Sequence, residues 1–174
     1  MPAQRKLGRA TDVRLSMLRG MVTTLIVNGR IETTEARAKE VKRIAEQLIT
    51  MAVREKDNFT TRELTVSTAK LDAKGRKVLK SATSKNGNKY DVVSREIKTD
   101  IVQVDNPSRL AVRRQLALWL NKSHTAEGKA VSPINVLFDT VAPKYAGKSG
   151  GYARIIKLGA RRGDASEMAI LELI

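Results

Sequence analysis

Between Val13 and Val27 the apolar positions Met17, Leu18, Met21, Val22 and Leu25 recur at i, i+1, i+4, i+5 and i+8, one stripe along a helix. Thr11 or Asp12 can cap its start, and Asn28-Gly29 supplies a left-handed stop. Arg14 and Arg19 fall outside the stripe. Arg30-Ile31-Glu32-Thr33 reads as a short extended link, a strand only if it joins a sheet built elsewhere in the chain. Thr34 and Glu35 then open a second helix, the first as a cap and the second as an acid at the positive end of the dipole. Its core face is Val41, Ile44, Ala45, Leu48 and Ala52. Arg37, Lys39, Lys42 and Arg43 lie off that face, interleaved with Glu40 and Glu46. That mixture leaves a solvated surface and a phosphate-binding surface equally open.

Over residues 57–105 the pattern changes, with β-branched residues, serines and threonines replacing helix formers. Asn86-Gly87 is a two-residue hairpin turn that pairs Val78–Ser84 with Lys89–Arg95, and Ile97–Val104 adds a further strand. Large apolar residues are sparse, so this segment is expected to be a β appendage with one face in water.

Helical periodicity resumes at Asn106-Pro107, a cap followed by proline at the first helical position. Val112, Leu116, Trp119 and Leu120 form the stripe, while Arg109, Arg113 and Arg114 lie off it with no acid in the segment. After a polar linker over 121–131, Ser132-Pro133 repeats the cap-then-proline signature. Ile134, Leu137, Phe138 and Val141 follow at helical spacing until Pro143 ends the run. Two alternating segments close the series, Tyr152–Leu158 and Glu167–Leu173, an antiparallel pair with Arg161-Arg162-Gly163-Asp164 in the connecting loop. The first places Tyr152, Arg154, Ile156 and Leu158 on one face. The order is α-β-α-(β insert)-α-α-β-β: one α+β domain over 1–174, a two-layer sandwich with the 57–105 appendage inserted.

Composition bears on the chemistry of a partner only through charge. The chain carries 33 Lys+Arg against 18 Asp+Glu, a net charge of +15, which opposes compaction and favours polyanions. A 41% hydrophobic content excludes wholesale disorder. No segment approaches the roughly 20 apolar residues of a membrane span, and no apolar run with a cleavage site follows the first basic residues, so no secretory signal is expected. With no cysteine there is no disulfide, no thiolate metal site and no thiol nucleophile. The lone histidine, His124, lies in the polar linker, where nothing orients it as a general base. No metal-spaced acid cluster or nucleotide-binding glycine loop is present, so the expectation is binding without catalysis, cofactor, metal or small-molecule substrate.

The charge concentrates over residues 142–163, which hold Lys144, Lys148, Arg154, Lys157, Arg161 and Arg162 and no acid. Glycines and two tyrosines, Tyr145 and Tyr152, punctuate the same stretch. Glycine lets a bulky partner approach the backbone, and arginine and tyrosine planes stack on unpaired bases. At the other end, Arg5, Lys6 and Arg9 suit an extended arm ordered by a polyanion. The candidate RNA-binding residues are therefore Arg5, Lys6, Arg9, Arg14, Arg19, Arg113, Arg114, Lys144, Lys148, Tyr152, Arg154, Lys157, Arg161 and Arg162. A processing enzyme would need a catalytic constellation beside this surface, and a DNA reader would need a helix with an uninterrupted basic face. Neither is legible.

The run Gly150-Gly151-Tyr152-Ala153-Arg154-Ile155-Ile156-Lys157-Leu158-Gly159, followed by Arg162-Gly163-Asp164 and Met168-Ala169, resembles the carboxy-terminal signature of the bacterial large-subunit ribosomal protein L-seventeen family. Arg5-Lys6-Leu7-Gly8-Arg9, Ile31-Glu32-Thr33-Thr34 and Asn135 with Leu137-Phe138 match it in the same order. The resemblance spans residues 1–56, 106–120 and 132–174. It implies an α+β structural protein of the cytoplasmic ribosome, bound to large-subunit ribosomal RNA near the peptide exit tunnel, with ribosomal protein L-thirty-two as a neighbour. Carried residue by residue, it points to Arg5, Lys6, Arg9, Tyr152, Arg154, Lys157 and Arg162 as RNA contacts. Segments 57–105 and 121–131 are longer than the family's compact pattern, which leaves their partners open.

Overall fold

The computed structural model describes residues 5–124 and 128–174. The chain divides into two units, residues 1–58 with 105–174, and residues 59–104. The first is α+β.

Helix α1 (Thr11–Asn28) starts one residue before the expected caps: Ala10 is the cap position and makes no side-chain bond, while Asp12 sits in the first turn against the dipole. Gly29 ends it in the left-handed conformation at φ 75°, its N–H donating to Leu25 O at 2.8 Å. Strand β1 (Arg30–Thr34) is the extended link promoted to a strand, with Ile31 and Thr33 turned inward. It pairs antiparallel with β9 (Glu167–Leu173), Ile31 opposite Leu171. Strand β8 (Ala153–Ala160) pairs with the other edge of β9, giving a three-stranded sheet of order β1-β9-β8. The β8 register slips between Lys157 and Gly159, a bulge at which Gly159 takes φ +89°.

Helix α2 (Glu35–Glu55) packs across this sheet and against α1. Its buried positions, Ala38, Val41, Ile44, Ala45, Leu48, Ile49 and Ala52, are the expected stripe widened by Ala38 and Ile49. They meet Leu18, Val22, Leu25 and Ile26 of α1 and Ala169 and Leu171 of β9 in one cluster. Burying a leucine-sized side chain is worth about 1.5–3 kcal/mol, so this helix–sheet contact is the main source of stability.

Helix α3 (Pro107–Trp119) begins where expected, with Pro107 in its first turn. Asn106 does not cap it with its side chain. The Asn106 amide instead donates to Asn58 Oδ1 at 2.7 Å, and Asn58 donates to Glu55 Oε2 and to Ser108 Oγ. Ser108 Oγ in turn donates to Glu55 Oε2 at 2.9 Å, closing a polar clasp across the two chain segments that flank 59–104. In the linker, Ser123–His124 and Ala130–Val131 form a minimal antiparallel pair, β6 and β7, and residues 125–127 lie outside the described set. Ser132 caps α4 (Pro133–Val136), accepting from Asn135 N.

Pro143 does not end the run that α4 begins. Leu137–Val141 winds as a π-turn in which Ala142 N–H donates five residues back to Leu137 O, and α5 (Ala142–Lys144) follows with Pro143 in its first turn. The wider turn takes up an extra residue, and the proline falls where a helix start requires no N–H.

The second unit is a ribbon. Strand β2 (Phe59–Ala69) pairs with β5 (Arg95–Asp105), and β3 (Leu79–Thr83) pairs with β4 (Lys89–Val93) around the Asn86-Gly87 turn. The hairpin forms, but one residue off the expected register: Thr83 rather than Ser84 lies opposite Lys89, and Leu79 lies opposite Val93. Gly87 N–H donates to Ser84 O at 3.0 Å and Ser84 N–H to Asn88 O at 2.8 Å, so the loop is the three residues 85–87 instead of two. The partner of β5 is a finding, since β2 was not legible as a strand. No side chain of 59–104 is buried.

Candidate nucleic-acid interface

The fourteen candidate residues divide by how far the fold has already used them. Arg5, Lys6 and Arg9 are exposed, but their segment is not a plain extended arm. Arg9 N–H donates to Lys6 O at 3.2 Å, Leu7 and Gly8 take φ 55° and 64°, and Leu7 packs on the core. One apolar side chain thus pins a basic turn, with Arg5 in a shallow cleft beside Thr34, Glu35, Lys39 and Ser166. Arg114, Lys144, Lys148 and Arg162 are likewise exposed and make no ion pair among the described residues. Lys148 lies 5.7 Å from the Tyr145 ring centroid.

A second group is exposed but paired. Arg154 meets Glu172 on the neighbouring strand. Lys157 lies 3.2 Å from Glu35, which Lys39 also holds at 2.8 Å. These two lysines, Lys39 first, keep the Glu35 carboxyl below its ordinary pKa. Arg161 grips Asp164 with two bonds, at 2.9 and 2.6 Å. That guanidinium, together with the Ser166 hydroxyl and N–H, holds the Asp164 carboxyl well below the usual carboxylate range. Exposed pairs of this kind contribute about 0–1 kcal/mol, so a phosphate can replace the carboxylate at little cost.

A third group is half-buried and partly engaged within the fold. Arg113 is tied to Asp105 at 2.9 Å, donates to Asn135 Oδ1 at 3.1 Å and lies 5.0 Å from the Phe138 ring centroid. Arg109, only 4% exposed, shares Asp105 at 2.7 Å and the other approach to Phe138 at 4.9 Å. The acid missing from the helix is supplied by the residue two positions before it. Arg14 and Arg19 are half-buried, with Arg19 over the Trp119 ring at 5.8 Å.

Tyr152 is the plainest departure: its ring is 1% exposed and cannot stack on a base. Its hydroxyl donates to Lys148 O at 3.0 Å, and the 2%-exposed Tyr145 donates to Tyr152 O at 3.3 Å. The two rings lie 5.0 Å apart and tilted at 54°, a packed aromatic pair that fastens the glycine-rich turn to the core. Burial pushes the Tyr145 phenol above its ordinary pKa. Tyr152 also precedes the paired part of β8, so it does not share the outward face of Arg154, Ile156 and Leu158.

The turn and the outer face of α2 meet. Lys39, Lys42, Arg43, Gln47 and Thr50 line one cleft with Gly150, Tyr152 and a single acid, Glu46, which lies 3.9 Å from Lys42; three cations against one carboxylate extend the basic surface beyond residues 142–163. The interleaved Glu40 and Glu46 hid this face in the sequence, although the i, i+3, i+4 spacing of Lys39, Lys42 and Arg43 was its signal. Among the described residues no His/Cys/Asp/Glu cluster has the makings of a metal site, and no helix is long and apolar enough to cross a membrane.

A basic α+β scaffold with exposed cations along a glycine-rich turn, a helix face and an N-terminal turn defines a class, the small, strongly basic α+β proteins. Residues 17–174 match the family model of ribosomal protein L17. The chain belongs to the ribosomal protein L17 family, one of structural ribosomal proteins and not of enzymes. It is 60% identical over 174 residues to the large ribosomal subunit protein bL17 of Ruminiclostridium cellulolyticum and 57% identical over 174 residues to that of Acetivibrio thermocellus, with 100% of each chain covered. The protein of the same name from Listeria innocua is 36% identical over 170 residues, 98% of each chain.

Proposed function

We propose that this chain is a structural constituent of the large ribosomal subunit in the cytoplasm. Its two-layer core is held to large-subunit ribosomal RNA near the peptide exit tunnel, beside ribosomal protein L-thirty-two. The relatives' names support the subunit. The observation that carries RNA binding is the exposed cation set without carboxylate partners among the described residues, Arg5, Lys6, Arg9, Arg114, Lys144, Lys148 and Arg162, on a chain of net charge +15. Phosphate neutralisation by these groups fixes position, and the irregular shape of folded RNA supplies specificity. Arg154, Lys157 and Arg161 add to the surface by exchanging their carboxylates for phosphates.

Binding to large-subunit ribosomal RNA, titrated from low to high salt, tests this. Neutralising six phosphates gives log affinity against log salt a slope of roughly −4 to −5. A flat dependence, or sedimentation of the chain away from large subunits on a sucrose gradient, overturns the reading.

A further inference from the structure

The ribbon of residues 59–104 is unusual in two ways that together point to a partner. It buries no side chain, although two-stranded ribbons are marginal in water without a packed face. Its charge is also segregated along its length. Residues 70–89 carry seven Lys and Arg against a single acid, Asp72, whereas residues 59–69 with 90–104 carry three against four. Asp72 is occupied by its own turn, its Oδ1 accepting from Ala73 N–H at 2.8 Å. Lys74, Arg76 and Lys77 crowd the turn that Gly75 makes possible at φ +74°. Lys85 and Lys89 flank the Asn86-Gly87 turn. All five are exposed and make no ion pair among the described residues.

The aromatic inventory singles out the same region. Of the chain's six Phe, Trp and Tyr side chains, Tyr90 alone is exposed, at 51%. The strand register explains why. Tyr90 sits opposite Ala82, whose methyl is too small to cover the ring, with Val92 and Lys80 as the next pair on that face. An open aromatic plane with a cation diagonal to it, on a ribbon tipped with further cations, is the arrangement by which proteins hold unpaired bases.

We propose that residues 70–93 are a second RNA-binding element, in which Tyr90 stacks on an unpaired base while the lysines and arginine of the two turns neutralise adjacent phosphates. This rests on the ribosomal RNA reading of the core and extends it to a segment that reading does not use. The ribbon then acquires its missing packed face from the RNA.

The test uses the full chain and a large-subunit ribosomal RNA transcript, with affinity measured by filter retention at several salt concentrations. Tyr90→Leu weakens binding by roughly 5- to 150-fold with the salt slope unchanged, while Tyr90→Phe binds as wild type. The triple change Lys74→Gln, Arg76→Gln, Lys77→Gln flattens the slope by about 2. All these side chains lie outside the core, so no variant melts below wild type, and the triple change, which relieves self-repulsion, melts at the same temperature or higher. If these variants bind like wild type while Arg114→Gln binds more weakly, the inference is overturned and the core reading stands. If they bind RNA normally but enter reconstituted large subunits poorly, the ribbon faces a protein and the inference is again overturned. If wild type shows no salt-dependent binding, both readings fall.

Discussion

A basic residue and an aromatic one from the same short segment serve opposite ends, and single substitutions separate them. Tyr152→Phe removes the bond to Lys148 O and costs about 1 kcal/mol of stability with RNA affinity unchanged, measured by denaturant unfolding and filter binding. Arg162→Gln does the reverse, leaving the unfolding midpoint within about 0.5 kcal/mol of wild type and weakening RNA binding. The Arg161–Asp164 pair carries a pH signature. The native Asp164 pKa is depressed below an unfolded value of about 3.9, so its contribution to stability is complete at neutral pH. It is lost as pH falls through that value toward the native pKa. The difference in unfolding midpoint between wild type and Asp164→Asn is therefore constant from pH 7 to about pH 5 and narrows below it, and a difference that grows on acidification would contradict the pairing.

At the level of elements, legibility followed the range of the interaction. Helices α1, α2 and α3 were readable because their apolar spacing is written within a few turns, and the β3–β4 hairpin because Asn86-Gly87 marks its turn locally, although the extra loop residue, Lys85, shifts the register by one. Strand β1 was not, since its partner Leu171 lies far along the chain from Ile31 and no local pattern reports that pairing. The π-turn escaped notice because proline normally terminates helices, and nothing local announces the extra residue that accommodates it. Of the candidate site, charge was legible but not its prior commitments. Asp105, Glu172 and Glu35 are remote from some of the cations they hold, and a tyrosine is equally suited to a core and to a base. The clasp of Asn58, Asn106, Ser108 and Glu55 predicts that the insert is separable. Asn106 N–H donates to Asn58 O at 3.3 Å, so a short Gly-Ser turn can replace residues 59–104. The shortened chain is expected to melt as cooperatively as the full one, with its helical circular dichroism kept. Loss of the cooperative transition would show the ribbon to be required for folding.

For the whole molecule the dominant quantity is the unbalanced charge. At +15, self-repulsion acts against the native state whenever RNA is absent. Raising salt from about 10 mM to 150 mM shortens the screening length from about 30 Å to about 8 Å, so the melting temperature of the isolated protein should rise with salt as its RNA affinity falls. The two trends have one cause. A melting temperature that falls or stays constant over that range would mean that the exposed ion pairs outweigh the repulsion.

The middle strand of the three-stranded sheet, β9, is also the last of the three along the chain, and β1 and β8 touch only through it. A ribosome making this protein therefore produces both outer strands before either has a neighbour, and α2 has no finished surface to lie on until residues 167–173 appear. Synthesis that stalls anywhere short of them releases a polypeptide with unpaired outer strands, unlike one whose sheet has closed to any protease or chaperone. Assembly machinery thus receives a molecule whose closed sheet itself certifies that β9 has been made and has found its place.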